Sequence, residues 1–303
     1  MNDKLSAIYE KIRNSAMANW IGAGDPERVG LDLFSFVAKH VPLRPDFRIL
    51  DLGCGLGRSS APFADYLKDG QLVGVDVVDS VVTFCREEIG SRYPNAHFFT
   101  CATADSYLKE RSGPNPANLP SVNDVLSAEG PFDLVLAFSV FTHLIPEEMD
   151  EYLALFDRVL AQDGRLVLTF LFLDEWTRPA IRNRQLPAMI LEDTPEHAHE
   201  PGSVCYASPS NPRAVVAISQ EDVLHMAKVH GFQPDRIVFG NWRWMDSEMG
   251  QDTLILQRSR ERQIPADFDA ARYLELYPDV AACSLDAAFH YLSWGRREGR
   301  PYR

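Results

Sequence analysis

The sequence predicts an α/β chain: a doubly wound, mostly parallel seven-stranded sheet followed by a small helical module. Three observations carry that prediction. Short apolar runs recur near 48–53, 71–77, 96–101, 132–139, 164–172, 235–240 and 252–258. Helix-period stretches and short connections separate them, the alternation expected of a parallel sheet covered on both faces. The first run, Arg48-Ile-Leu-Asp-Leu, passes directly into Gly53, Gly55 and Gly57 at alternate positions and then into a helix-like stretch, Ser59–Leu67. Beyond residue 264 the strand pattern stops, which divides the chain into a domain over 1–260 and a module over 265–303.

Taken in order, Leu5, Ile8, Ile12 and Ala16 give helical spacing over 4–20, and Leu31, Leu33, Phe34 and Val37 give it over 28–40. Between them Trp20-Ile-Gly-Ala-Gly-Asp-Pro, with Gly22 and Gly24, reads as a hinge. Ile49, Leu50 and Leu52 form the kind of run that a strand buried on both faces requires. The glycines after it permit a sharp turn that brings bare amides against a ligand. A pyrophosphate loop would need Gly-x-Gly-x-x-Gly, and the position of its last glycine is Arg58. Asp51 would repel a diphosphate but suits a cationic amine. Asp76 closes the second strand, Gln71-Leu-Val-Gly-Val-Asp, nineteen residues after Gly57, where a carboxylate accepts two ribose hydroxyls. An amine and a ribose without a phosphate describe S-adenosylmethionine.

Two stretches interrupt the rhythm. Gly113-Pro-Asn-Pro-Ala-Asn-Leu-Pro is turn-rich and reads as a surface loop. Residues 174–217 carry six prolines, little apolar periodicity and two histidines. They read as a long excursion beside the carboxyl ends of the strands, where ligands of open α/β sheets bind. At 303 residues the chain can bury a large core. The net charge of −13 argues against a nucleic-acid substrate, which clustered lysine and arginine would meet. Five scattered cysteines (54, 85, 101, 205 and 283) without a Cys-x-x-Cys pair read as reduced thiols. No apolar run is long enough to span a bilayer and the start is polar, so a cytoplasmic location is expected.

Asp51, the three glycines and Asp76, with Phe132-Asp-Leu-Val-Leu-Ala-Phe-Ser-Val-Phe-Thr-His-Leu and Leu160-Ala-Gln-Asp-Gly-Arg-Leu-Val-Leu-Thr-Phe, resemble the class I S-adenosylmethionine-dependent methyltransferases. The likeness covers roughly residues 20–258 and implies their Rossmann-like fold. Cofactor contacts are then expected from Gly22, Gly24, Asp51, Gly53, Gly55, Gly57, Asp76, Val77, Thr103 and Ser139. Thr103 enters because Phe99-Thr-Cys is not followed by the acid that often stands near the adenine. Ile21-Gly-Ala-Gly-Asp-Pro, Val204-Cys-Tyr-Ala-Ser-Pro-Ser-Asn-Pro-Arg and Gly240-Asn-Trp-Arg-Trp are similar to a bacterial group whose genes often lie among glycosyltransferases building surface polysaccharides. That resemblance implies a glycan or glycan-linked acceptor, with glycosyltransferases as partners. The tail, from Asp267-Phe-Asp-Ala-Ala-Arg-Tyr to Gly299-Arg-Pro, resembles a two-helix module attached to bacterial glycosyltransferases, with a core of Phe268, Tyr273, Leu274, Val280, Phe289, Tyr291 and Leu292.

A sugar hydroxyl is a poor nucleophile at pH 7 and gains from a base. His143, just past the fourth strand, is the first candidate, and the alternative is a histidine packed structurally at a helix start. Asp174 and Glu175, at the end of the fifth strand, are the others, with His197 and His199 behind them. His197-x-His199 lacks a further spaced ligand, so no metal is expected. Arg178, Arg182 and Arg184 suit an acidic sugar or simply a solvated face. Two other functions stay open: methylation of a small natural product, which a purely apolar excursion would favour, and a non-catalytic cofactor-binding scaffold, against which the intact Asp51, Gly53, Gly55 and Asp76 count.

Overall fold

A computed structural model of the chain describes residues 3–18, 24–102, 118–183, 192–193, 204–207, 211–243, 245–259, 265, 267–282, 287–291, 295 and 300–302. The chain divides into two compact units, Met1–Gln257 and Arg258–Arg303. Seven strands of the first unit form one sheet: β1 (Arg48–Leu52), β2 (Gln71–Asp76), β3 (Ala96–Thr100), β4 (Phe132–Ala137), β5 (Leu160–Phe170), β10 (Phe232–Val238) and β11 (Asp252–Arg258). Their order is β10-β11-β5-β4-β1-β2-β3. β1 pairs in parallel with both β2 and β4, β2 with β3 and β4 with β5, whereas β11 runs antiparallel to β5. The winding therefore reverses between β1 and β4, and crevices at such a reversal bind ligands.

Alternate residues along the central strands feed opposite faces, as the two-residue strand period requires. Leu50, Leu52, Val135 and Ala137 pack with helices α5 (Val122–Glu129), α6 (Pro146–Val159) and α8 (Gln220–Val229). Ile49, Leu134 and Leu136 pack with α1 (Asp3–Arg13), α2 (Pro26–His40), α3 (Ser60–Tyr66) and α4 (Asp79–Cys85). Burial on both faces is why these strands read as unbroken apolar runs.

Three boundaries differ from the sequence expectation, the first being the strand expected at 235–240, which runs over Phe232–Val238. The first helix ends at Arg13 rather than near residue 20, and the Ser15 hydroxyl accepts the Met17 amide in a local turn that competes with helix. The fifth strand starts at Leu160, and its register against β4 jumps from Phe132↔Leu160 to Leu134↔Arg165, so Asp163-Gly164 forms a bulge inside a strand.

The described residues of the excursion hold more regular structure than its composition suggested. Short strands β6 (Phe172–Leu173), β7 (Glu192–Asp193), β8 (Val204–Tyr206) and β9 (Val216–Ser219) form a second sheet in the order β6-β9-β8-β7. Val204, Tyr206, Val216 and Ile218 join the main core, while Cys205 and Ala217 face Leu171, Ile181 and Trp242. Helix α7 (Thr177–Arg182) lies within the same excursion.

A buried ion cluster ties this sheet to the main one. Arg243 and Asp252 are 4% and 0% exposed. Asp252 accepts Arg243 Nε at 2.8 Å, Arg243 Nη2 at 3.1 Å, the Gly240 amide at 2.8 Å and the Phe172 amide at 2.7 Å. Arg243 also donates to the Phe172 carbonyl at 3.2 Å and pairs with Asp174. In the second unit, Tyr273, Val280, Ala287 and Tyr291 form a small core flanked by Phe268, Leu274, Tyr277 and Tyr302. The expected core residues Phe289 and Leu292 lie outside the described side chains.

Removing one member of a buried pair strands the other charge. Arg243→Met is expected to lower stability by about 3–5 kcal/mol in urea unfolding followed by circular dichroism. A loss below about 1 kcal/mol, the level of a surface pair, would contradict this role for Arg243.

Candidate active site

The ligand-facing turn begins where β1 ends. Gly53, Gly55 and Gly57 have φ of +71°, +52° and +74°, a region that other residues enter only with strain. Space is closed to a side chain as well: a Cβ at Gly53 would come within 2.5 Å of Val140 Cγ2, and one at Gly57 within 2.2 Å of Ile89 Cδ1.

Asp76, half-buried at the end of β2, accepts the Gly55 amide at 2.9 Å and the Val78 amide at 3.0 Å. Each amide takes one oxygen, leaving acceptor capacity on both for hydroxyls. Burial raises its pKa against the backbone hydrogen bonds that lower it. Val77 follows, half-buried. Asp51 is 1% exposed, and its Oδ2 accepts Ser60 Oγ at 2.6 Å and Ser59 Oγ at 2.9 Å. Burial pushes its pKa up to about 6, opposed by these two hydroxyls.

Opposite the glycines, the chain leaves β4 through Ser139, a non-glycine residue at φ +57°. Its amide donates to Thr169 Oγ1 at 2.7 Å and its hydroxyl to Gln251 Oε1 at 3.2 Å. Strain of this kind, held by surrounding bonds, gathers at functional sites. Gly24, at φ +100°, directly precedes the α2 cap Asp25. Gly22 and Thr103 lie outside the described residues.

The three base candidates fare differently. His143 closes the short turn Phe141–His143 and is exposed, with Nδ1 3.0 Å from the Arg213 carbonyl. Asp174 is engaged: its Oδ1 accepts the Trp176 and Thr177 amides and the Thr177 hydroxyl, and its Oδ2 pairs with Arg243. Burial raises its pKa, but Thr177 and Arg243 outweigh that and the net shift is downward. These bonds give Asp174 a capping and anchoring place instead of a free carboxylate. Glu175 is exposed in the following turn. His197 and His199 lie outside the described residues, among which no group of three or more histidines, cysteines or acids is arranged to hold a metal.

Residues singled out for other reasons, or not at all, also belong to this region. Arg58 sits beside Asp51 and has a buried Nη1 with no hydrogen-bond partner among the described residues. Its only sequence signal was a cation ending the glycine run. Glu148 and Arg213 form a two-pronged ion pair next to His143, with Arg213 Nη2 2.8 Å from Glu148 Oε1. Their separation of 65 residues hid that pairing.

The donor set fits S-adenosylmethionine. The turn offers bare backbone where a side chain would collide, Asp76 keeps acceptor capacity for ribose hydroxyls, and Asp51 and the unsatisfied Arg58 offer opposite charges to an amino-acid tail.

Comparisons with known proteins agree. Residues 50–166 match the family model Methyltransf_12, a methyltransferase domain. Cyclopropane-fatty-acyl-phospholipid synthase of Escherichia coli (strain K12) is 23% identical over 167 residues, 55% of this chain and 37% of that protein. The chain thus spans little more than a third of that curated relative. The fold is that of magnesium protoporphyrin IX methyltransferase from Synechocystis PCC 6803 with bound SAH, at TM-score 0.50 and 18% identity over 85% of this chain and 96% of that one. The PH0226 protein from Pyrococcus horikoshii OT3 aligns at TM-score 0.53 and 18% identity, over 82% and 99%. The matched stretch, residues 50–166, takes in the glycine turn and Asp76 at the winding reversal of the sheet, the parts whose chemistry fits S-adenosylmethionine.

Proposed function

We propose that the enzyme methylates a hydroxyl of a sugar, or a related group, in the building of a bacterial surface glycan, and that His143 takes the hydroxyl's proton. The observation that carries the chemistry is the bond from His143 Nδ1 to the Arg213 carbonyl. A carbonyl only accepts, so Nδ1 bears the hydrogen and the lone pair of the neutral ring is on Nε2. A ring in that form, exposed just past β4, suits removal of a proton from an acceptor hydroxyl. The glycan class rests on the polar make-up of 174–217 and on the sequence resemblance of the excursion and of Gly240-Asn-Trp-Arg. Glycosyltransferases working on the same acceptor are the partners this reading implies.

Bound S-adenosylmethionine supplies a sulfonium methyl that a nucleophile takes in line. The chain's part is to position and to deprotonate. Asp76 holds the ribose, the amides around Gly53 and Gly55 admit the ligand closely, Val77 flanks the adenine, and Asp51 and Arg58 order the amino-acid end. Much of the rate comes from holding acceptor and donor in line, and His143 adds removal of the proton as the new bond forms. Glu175 is the alternative base.

The acceptor class is tested by supplying methyl-labelled cofactor and a panel of surface-glycan fragments. Label on a sugar oxygen is expected. Label confined to small aromatic acceptors or lipids, with none on any sugar, would overturn the glycan reading. Asp76→Ala is expected to weaken cofactor binding by about 2–4 kcal/mol in calorimetry, the worth of two hydrogen bonds to a charged group; unchanged affinity would remove Asp76 from the site. Asp51 must be ionised to meet a cationic amine. Since its folded-state pKa is raised to about 6, cofactor affinity is expected to fall as pH drops below that value, and Asp51→Asn to flatten the dependence. A profile that slopes equally in both proteins would refute the assignment. His143→Ala is expected to lower turnover roughly 10²–10⁴-fold with cofactor affinity nearly intact, and full turnover would pass the base role to Glu175.

A further inference from the structure

A histidine serves as a base only if the nitrogen facing its substrate lacks the proton, and in a free neutral imidazole the proton exchanges between two sites. In this chain the choice is imposed from a distant part of the sequence. Arg213 lies in the short turn Pro212–Ala214, which leads into β9 of the excursion. Its guanidinium grips Glu148 through Nε, at 3.2 and 3.3 Å from the two carboxylate oxygens, and through Nη2 at 2.8 Å. Both side chains are about a quarter exposed, at 29% and 27%. Glu148 is itself fixed, because its Oε2 accepts the Ile145 amide at 3.1 Å and closes the first turn of α6. Two backbone bonds steady the Arg213 turn: Ala214 N to Asn211 O and Ala207 N to Val215 O, each 3.0 Å. The Arg213 carbonyl is thereby held 3.0 Å from His143 Nδ1. His143 comes from the β4 side, Glu148 from the start of α6 and Arg213 from the excursion, so three segments meet at Arg213.

We infer that the Glu148–Arg213 pair is a positioning device that locks His143 in its Nδ1–H tautomer and presents Nε2 to the acceptor. The inference rests on the reading of His143 as the base. Arg213 is a positioning residue: its side chain does nothing to the methyl or to the hydroxyl, and its carbonyl sets which proton state of His143 meets them. A two-pronged guanidinium–carboxylate pair suits the task because it fixes orientation as well as distance. It also makes the ordered excursion a condition for a competent base, since the carbonyl arrives only when that segment is in place.

The test is spectroscopic and needs no acceptor. The full chain is labelled with [15N]histidine, and long-range proton–nitrogen correlations are recorded above the ring's titration, with His143 identified by its loss in His143→Ala. More than about nine-tenths Nδ1–H tautomer is expected in the parent enzyme, falling to about half or less in Arg213→Met. A parent enzyme whose His143 is already a mixture, or an Arg213→Met spectrum like that of the parent, would overturn the inference. If Arg213→Met fails to fold, Glu148→Gln keeps an acceptor for the Ile145 amide while removing the charge, and the same two outcomes apply. The base reading fails separately, through a His143→Ala enzyme that keeps full turnover, and leaves these spectra unchanged.

Discussion

The ligand side of this molecule depends on one stretch of backbone, the turn from β1 to α3. The chain has to reverse there within a few residues, with most of its amides turned onto Val75, Cys54 and Asp76 and no room left for side chains. Gly53, Gly55 and Gly57 meet that demand with three positive φ angles, and Val140 and Ile89 stand where side chains would otherwise project. Asp76 closes the arrangement from the neighbouring strand by accepting the Gly55 amide, so the residue proposed to hold the ribose also braces the turn. Because β1 and β4 flank the reversal of winding, the turn faces Ser139 across a crevice that the sheet order itself creates. The proposed cofactor site thus belongs to the β1–β2–β4 framework.

The proposed acceptor side is organised differently, by contacts between segments far apart in sequence. The second sheet is anchored at its root by Arg243, Asp252 and Asp174. It is tied again near its end by Arg213 on Glu148. At the second fastening the excursion reaches His143, through the Arg213 carbonyl. Both ties use arginine against a carboxylate, where a planar fork gives direction that an apolar contact would not.

The fold was largely legible in the sequence because its signals are local. A buried parallel strand needs a continuous apolar run, and a tight turn at positive φ needs glycine, so β1, β2, β4 and β5 and the residues Gly53 to Gly57 announce themselves. What stayed hidden depends on partners. The strands Val204–Tyr206 and Val216–Ser219 alternate correctly, but three or four residues are too few for a period to stand out among prolines. Asp174 looked like a free acid at a strand end, because nothing nearby reveals the arginine 69 residues later that engages it. Glu148, Arg213 and the role of Arg58 were invisible for the same reason. Local patterns specify elements, whereas ion pairs between elements need the fold before they exist.

The account's central claim is that Asp76 and the glycine turn hold an adenosyl ligand. The most direct measurement is a crystal structure of the chain grown with S-adenosylhomocysteine. The ribose hydroxyls are expected within hydrogen-bonding distance of Asp76, with the amino-acid tail lying over Gly53 and Gly55 toward Asp51 and Arg58. A ligand bound elsewhere, or a crevice left empty at saturating concentration, would contradict the claim.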